Sequence, residues 1–146
     1  MSKWDRRFFH MALLVAKWSK DPSTTVGAVI VDQHNRVVSI GFNGLPRSVC
    51  DDDTIINNRD EKLRCTIHAE ENAILFARGA VDGCTIYTTH TPCAGCAAKI
   101  IQCGIVRVVS PRPSIDFATR WKEHLRSATR MFIEANVQHD YIELCE

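Results

Sequence analysis

The chain has 146 residues, of which 45% are apolar, 24% charged and 8% aromatic, a balance that excludes a disordered, collagen-like or membrane-embedded protein. Eighteen basic against seventeen acidic side chains leave a formal charge of +1, too little for the broad positive field that draws proteins onto nucleic acid, so any phosphate site is expected to be small and local. No apolar run approaches the roughly 18 residues of a membrane span, and the N-terminal Met1-Ser2-Lys3-Trp4-Asp5-Arg6-Arg7 leads into an amphipathic stretch instead of a signal-peptide core; a cytoplasmic protein with no membrane partner is expected.

The length suits one domain, 1–146, able to bury a core without staples. Seven cysteines and no export signal point to reduced thiols, some of them metal ligands. From Trp4 to Trp18, bulky residues recur every three or four positions, the period of an amphipathic helix that ends before Asp21-Pro22. Val26 to Val31 and Arg36 to Gly41 are β-branched runs joined by the turn-prone Asp32-Gln33-His34-Asn35, a hairpin. Phe42 to Cys65 is polar, has no period, and reads as a long functional loop with room for one helical turn. The alanine-rich stretch His68 to Arg78 predicts a helix stopped by Gly79. Cys84 to Thr89 reads as a strand, Pro92 to Cys103 as a helix, and Ile105 to Val109 as a strand, together a right-handed parallel unit. A long amphipathic helix over Phe117 to Ala135 follows, and Val137 to Leu144 reads as an edge strand.

The chemistry is concentrated in His68-Ala69-Glu70 and Pro92-Cys93-Ala94-Gly95-Cys96. His68, Cys93 and Cys96 offer one imidazole and two thiolates, a soft set suited to one Zn2+, and three ligands leave a coordination position open for catalysis. Both motifs fall at predicted helix starts. There, side chains lean toward the helix N-terminus and the positive ends of the helix dipoles favour thiolates. Glu70 is one helix position away from the ligand set, fit to take a proton from an activated water and deliver it to a ring nitrogen and a departing amine. The pairing of H-x-E with P-C-x-x-C is the signature of zinc nucleobase deaminases, in which water attacks C4 of cytosine. A closed structural zinc site would need a fourth donor. Cys50, Cys65, Cys84, Cys103 and Cys145 are available in number but read as core residues. His90, just before Thr91-Pro92-Cys93, stands close enough to be a ligand or to line the pocket, and pocket lining is the preferred reading.

With Ser19 to Ala28, Gly41-Phe42-Asn43-Gly44-Leu45-Pro46-Arg47, Asn58 to Lys62 and the two metal motifs, the chain from about Trp4 to Val137 resembles the deoxycytidylate (dCMP) deaminases of the zinc-dependent cytidine deaminase superfamily. The resemblance implies a three-layer α/β fold, with a mixed sheet of about five strands between helices. It also implies a homo-oligomer, dimer or hexamer, and conversion of dCMP, or a 5-substituted dCMP, to the corresponding dUMP with release of ammonia. By the same resemblance, Asn43 hydrogen-bonds the deoxyribose, Thr24 and Thr25 lie near the substrate, and Ala69 offers its N–H to the base carbonyl. Arg47 and Arg112 are the best placed in sequence for the phosphate, with Arg59, Lys62 and Arg64 as further candidates. The run Asp51-Asp52-Asp53 reads first as solvated; a helix cap, or an Mg2+ site beside an effector nucleotide as in regulated relatives, are its other readings. Ser110-Pro111-Arg112-Pro113-Ser114 replaces the aromatic residue that many relatives carry after the last core strand. Two other functions compete. One is a deaminase of bases in polynucleotide, single-stranded DNA or tRNA, which the near-neutral charge disfavours. The other is a non-catalytic zinc-stabilised binding module.

Overall fold

In the computed structural model, which describes residues 1–143, the uninterrupted apolar run Gly27–Val31 forms strand β1, buried at every position. Its hairpin partner β2, Val37–Phe42, returns through a turn in which Asp32 Oδ1 accepts from the N–H groups of His34 (2.8 Å) and Arg36 (3.0 Å). The turn is completed by Asn35, an asparagine tolerating the left-handed φ of 59°. On its other edge β1 pairs antiparallel with β3, Thr85–Thr88, to which β4, Arg107–Pro111, and β5, Gln138–Ile142, add in parallel. The sheet order is therefore β2-β1-β3-β4-β5, the mixed five-stranded sheet expected.

Strand alternation divides the core into two layers. Val29 and Val31 of β1, with Tyr87 and Val109, face Phe8, Phe9 and Ala12 of helix α1, Lys3–Ala16. Ala28 and Ile30, with Ile86 and Val108, face the opposite helices: α4, Ala69–Phe76, α5, Ala94–Gln102, and α7, Lys122–Glu134. Ile30, Ile86 and Ile100 are fully buried, each worth about 1.5–3 kcal/mol of transfer free energy. Helix α1 is further tied down by a charged cluster across the sheet. The buried Asp5 carboxylate accepts from the Tyr87 hydroxyl (2.8 Å) and the Arg107 guanidinium (2.7 Å), which also reaches Asp140 of β5 (2.7 Å).

Four expectations are corrected. The segment Phe42 to Cys65 holds two helices, α2, Asp53–Ile56, and α3, Arg59–Cys65, started by the side chains of Asp52 and Asn58, which accept from the N–H groups of Thr54 (3.0 Å) and Glu61 (3.1 Å). These asparagine and aspartate caps carry the signal that the missing apolar period conceals. The long helix is broken at Trp121 (φ −108°, ψ 20°) into α6, Ile115–Arg120, and α7, a break at which the Trp121 ring stacks on Phe117. The helix over His68 to Arg78 ends early, because Ala77 turns to extended geometry (ψ 128°) before Gly79 is reached. Of the cysteines read as core, Cys84 is buried, but Cys50 is exposed and Cys65 and Cys103 are half-buried; Leu144 and Cys145 lie outside the described residues.

Candidate metal centre

Two helix starts meet above the end of β3. His68 is the N-cap of α4 and Cys93 the N-cap of α5, both with extended backbone (ψ 157° and 171°), so the side chains hang off the helix ends where unpaired N–H groups and the positive dipole ends collect. His68 Nδ1 lies 3.6 Å from Cys93 Sγ and 3.3 Å from Cys96 Sγ. Zinc bonds of about 2.3 Å to sulfur and 2.0–2.1 Å to nitrogen give tetrahedral N···S edges of about 3.5 Å, so the donors stand at the spacing one zinc ion requires. Among the described residues these three are the group able to hold an ion; their ligand atoms lie within 4.8 Å of one another, and neither His90 nor a further cysteine joins them. Without metal the cluster keeps its own charges in balance. The hydrogen bond with Cys93 lifts His68 to about 9 against the effect of burial, while that with Cys96 leads the fall of the Cys93 thiol to about 3. Cys96 moves the other way, pushed up first by its hydrogen bond with Cys93 and then by burial.

Glu70, in the first turn of α4, is only 4% exposed. Its Oε1 accepts from the Thr88 hydroxyl (3.4 Å), at the end of β3, and its Oε2 lies 3.7 Å from Cys96 Sγ. Burial pushes its carboxyl up, opposed by its own backbone N–H and by the charge of His68. The helix that carries it is fixed from three directions. Glu71 accepts from the His68 N–H (3.4 Å) and pairs with Lys99 of α5. The Asn72 amide donates to the Phe42 carbonyl (2.8 Å). Gly41 of β2 lets α4 approach so closely that a Cβ there would lie 2.3 Å from Ala73 N and 2.4 Å from Ala69 O.

The fold gathers part of the expected substrate side. Gly44 and Ile67 form an isolated bridge that sets the loop after β2 beside His68. In that loop the buried Asn43 clamps the segment 19–26, with Oδ1 accepting from Val26 N (2.8 Å) and Nδ2 donating to the Thr24 carbonyl (2.9 Å). Thr24 and the adjoining Thr25 are exposed on that segment. Ala69 is fully buried at the first position of α4, where helix geometry leaves its N–H without an intrahelical acceptor. The guanidinium of Arg47 lies over Phe76 at the end of α4, 5.4 Å from ring centre, and that of Arg112 over Tyr141, at 4.6 Å. Lys62 of α3 comes against the 21–25 loop, in a largely buried pair with Asp21 (3.1 Å) and within 3.2 Å of the Ser23 hydroxyl. Each member of the acidic run is engaged: Asp51 with Lys20 (2.7 Å), Asp52 as cap of α2, and Asp53 with Asn57 (3.0 Å).

Sequence reading missed Thr88, whose signal was a hydroxyl at a core-facing strand position, and the aromatic run Phe117-Trp121-His124. Phe117 stacks on Trp121 (5.7 Å) and meets His90 edge-on (6.3 Å), so an aromatic ring comes from α6 and not from the residues directly after β4.

Residues 2–111 match the family described as the cytidine and deoxycytidylate deaminase zinc-binding region. The chain belongs to that family. It is 53% identical over 145 residues to an uncharacterized deaminase of Aliivibrio fischeri, covering 99% of this chain and 97% of that one. It is 45% identical over 118 residues to a probable deoxycytidylate deaminase of Drosophila melanogaster and 42% over 114 residues to the human deoxycytidylate deaminase. In both, 73% of this deaminase chain is matched, but it spans only 58% and 64% of those proteins' lengths. In fold it resembles the dCMP deaminase of cyanophage S-TIM5 solved with dCMP and dUMP, with a TM-score of 0.76 at 21% identity over 97% of this chain and 99% of that one. No helix among the described residues is long and apolar enough to cross a membrane.

Proposed function

We propose that the protein hydrolyses the exocyclic amine of dCMP to give dUMP and ammonia, with His68, Cys93 and Cys96 as zinc ligands and Glu70 as proton carrier. The observation that carries this reading is a triangle of soft donors at zinc spacing beside a buried carboxylate, in a chain 42–45% identical to deoxycytidylate deaminases. When bound, zinc polarises a water and makes it nucleophilic at neutral pH. Glu70, its carboxyl raised by burial, takes a proton from the attacking water and passes it to N3 of the ring, then takes the second proton from the new C4 hydroxyl and gives it to the departing 4-amino group, which leaves as ammonia. The Ala69 N–H orients the base through its 2-carbonyl, while Asn43, Thr24 and Thr25 face the sugar. Lys62, paired with Asp21 beside the 21–25 loop, joins Arg47 and Arg112 as a candidate for the phosphate. The chain works as one deaminase domain over 1–146 in the cytoplasm, and as a homo-oligomer, dimer or hexamer. The exposed Leu75 (71%) and Phe76 (52%) at the end of α4 support that assembly. A cleft of about 250 Å³ lined by Asp21, Phe42, Asn43 and Lys62 is in keeping with a nucleotide seated beside these residues.

Ammonia release from cytosine, deoxycytidine, dCMP, 5-methyl-dCMP, dCTP and a cytosine-containing oligonucleotide, with and without chelator, tests the reading. Release from dCMP is expected, abolished by chelator, and Glu70→Gln is expected to keep zinc while losing about 100-fold or more in turnover. Release from the oligonucleotide alone would favour polynucleotide chemistry. No release from any substrate by the zinc-loaded protein would leave a binding module.

A further inference from the structure

The two helices that carry the metal donors meet through two matched rungs. In the first, His68 Nδ1 at the cap of α4 stands 3.3 Å from Cys96 Sγ in the first turn of α5. In the second, Glu71 of α4 pairs with Lys99 of α5. Glu71 follows His68 by three residues and Lys99 follows Cys96 by three, so the second rung lies about 4.5 Å further along both helices, on the same faces. Among the described residues this is the one ion pair between α4 and α5; their other side-chain polar contacts are those of His68 and Glu70 with Cys93 and Cys96. Both oxygens of the Glu71 carboxylate are engaged. Oε1 meets the Lys99 ammonium, and Oε2 accepts from the His68 N–H (3.4 Å). With the His68 imidazole turned to the two sulfurs, this reach of Glu71 back to the cap is what orients the ligand's own backbone.

We propose that Glu71 is a positioning residue for the metal centre and that Lys99 acts through it. One carboxylate, shared between the His68 N–H and the ammonium on α5, sets the start of α4 against that of α5 and so holds the imidazole and the two sulfurs at zinc spacing before the ion arrives. Residues one step removed from a metal in this way commonly change its affinity by about 10–100-fold. The Lys99 side chain is 55% exposed and that of Glu71 23%, so water screens the ion pair and its share is the smaller one. The inference rests on the zinc-ligand reading above.

The test measures the zinc dissociation constant by competition with a chelator at one pH, and the thermal midpoint of the metal-free protein, in the wild type, Glu71→Ala, Lys99→Met and the double variant. Glu71→Ala is expected to weaken zinc binding by about tenfold and Lys99→Met by about threefold. The double variant should bind no more weakly than Glu71→Ala, because Lys99 then has nothing to act through. Zinc affinity unchanged in Glu71→Ala, whatever its midpoint, leaves Glu71 a merely structural residue and overturns the proposal; single losses that multiply in the double variant do the same. Should Glu71→Ala fail to fold, Glu71→Gln takes its place. It keeps an acceptor for the His68 N–H and gives up the ion pair, so its loss should match that of Lys99→Met, and an unchanged affinity is equally fatal. A wild type that binds no zinc would instead refute the ligand reading itself.

Discussion

Replacing Gly41 by alanine tests whether the close seating of α4 on β2 sets the geometry of the site. A Cβ at residue 41 would stand 2.3 Å from Ala73 N and 2.4 Å from Ala69 O, and both neighbours are backbone, unable to swing aside. Ordinary carbon contacts need about 3.5 Å, so α4 must retreat by about 1 Å. Overpacking of this kind costs about 1–3 kcal/mol of stability. The greater effect is on chemistry, since α4 carries His68 at its cap and Glu70 in its first turn, and a misplacement of about 1 Å can cost roughly 100-fold in rate. The assay is kcat/KM for ammonia release from dCMP, with zinc content and thermal midpoint measured on the same preparation. Gly79→Ala is the control, because nothing lies within 4 Å of a Cβ there and its backbone is not left-handed. The expected result is a loss of roughly 100-fold in Gly41→Ala and almost none in Gly79→Ala. A Gly41→Ala protein with a lowered midpoint but full activity would refute the link from packing to catalysis.

Cys96→Ala should lose zinc by metal analysis, because it removes one of three ligands from an already open set; normal zinc content would refute the ligand assignment. At pH 7 the metal-free cluster holds His68 protonated, with its value raised to about 9, and Cys96 as a thiol pushed up, while Cys93 is already a thiolate. Zinc binding should therefore release about two protons, read from calorimetry in buffers of different ionisation enthalpy, and its affinity should weaken as pH falls; proton-neutral binding would contradict this. Asp5→Asn should lower the thermal midpoint at neutral pH, by about 2 kcal/mol of lost charged hydrogen bonding. Burial raises the Asp5 carboxyl, but Arg107, the Ser2 N–H and Tyr87 together hold it far below the ordinary carboxylate range. A depressed folded value means the stabilisation is complete above the unfolded value of about 3.9 and is lost as pH falls below it. The gap between wild type and Asp5→Asn should thus be constant from pH 7 to about pH 5 and shrink in stronger acid, and a gap that grew on acidification would refute the network's role.

The features legible in the sequence were those that a single segment encodes. The apolar period of α1, the β-branched hairpin strands and the glycine after α5 each act through near neighbours, and the donors His68, Cys93 and Cys96 announce their chemistry by type and spacing. The parts that were hidden depend on residues far apart in the chain. Thr88 matters because it meets Glu70, eighteen positions earlier, and Lys62 because it meets Asp21, forty-one positions earlier. Neither residue type marks its partner. Arg47 likewise lies over Phe76, a neighbour that its own segment does not mark. The helices α2 and α3 lay between these cases, since their caps Asp52 and Asn58 were visible but no apolar stripe supported them.

Why the donor set stops at three follows from where those donors originate. Cys93 and Cys96 lie on one face of α5 and His68 at the start of α4, so all approach from helix ends on the same side of the sheet. Glu70, meeting Thr88 at the end of β3, stands outside that group of three, with its Oε2 3.7 Å from Cys96 Sγ. A longer side chain at residue 70, or a Thr88 unable to donate, would let the carboxylate swing. Glu70 could then close the metal sphere or abandon the water it is proposed to serve. By anchoring Glu70 to the sheet, the fold would separate the acid proposed to move protons from the donors proposed to hold metal, and the predicted activity depends on that anchor as much as on the motifs themselves.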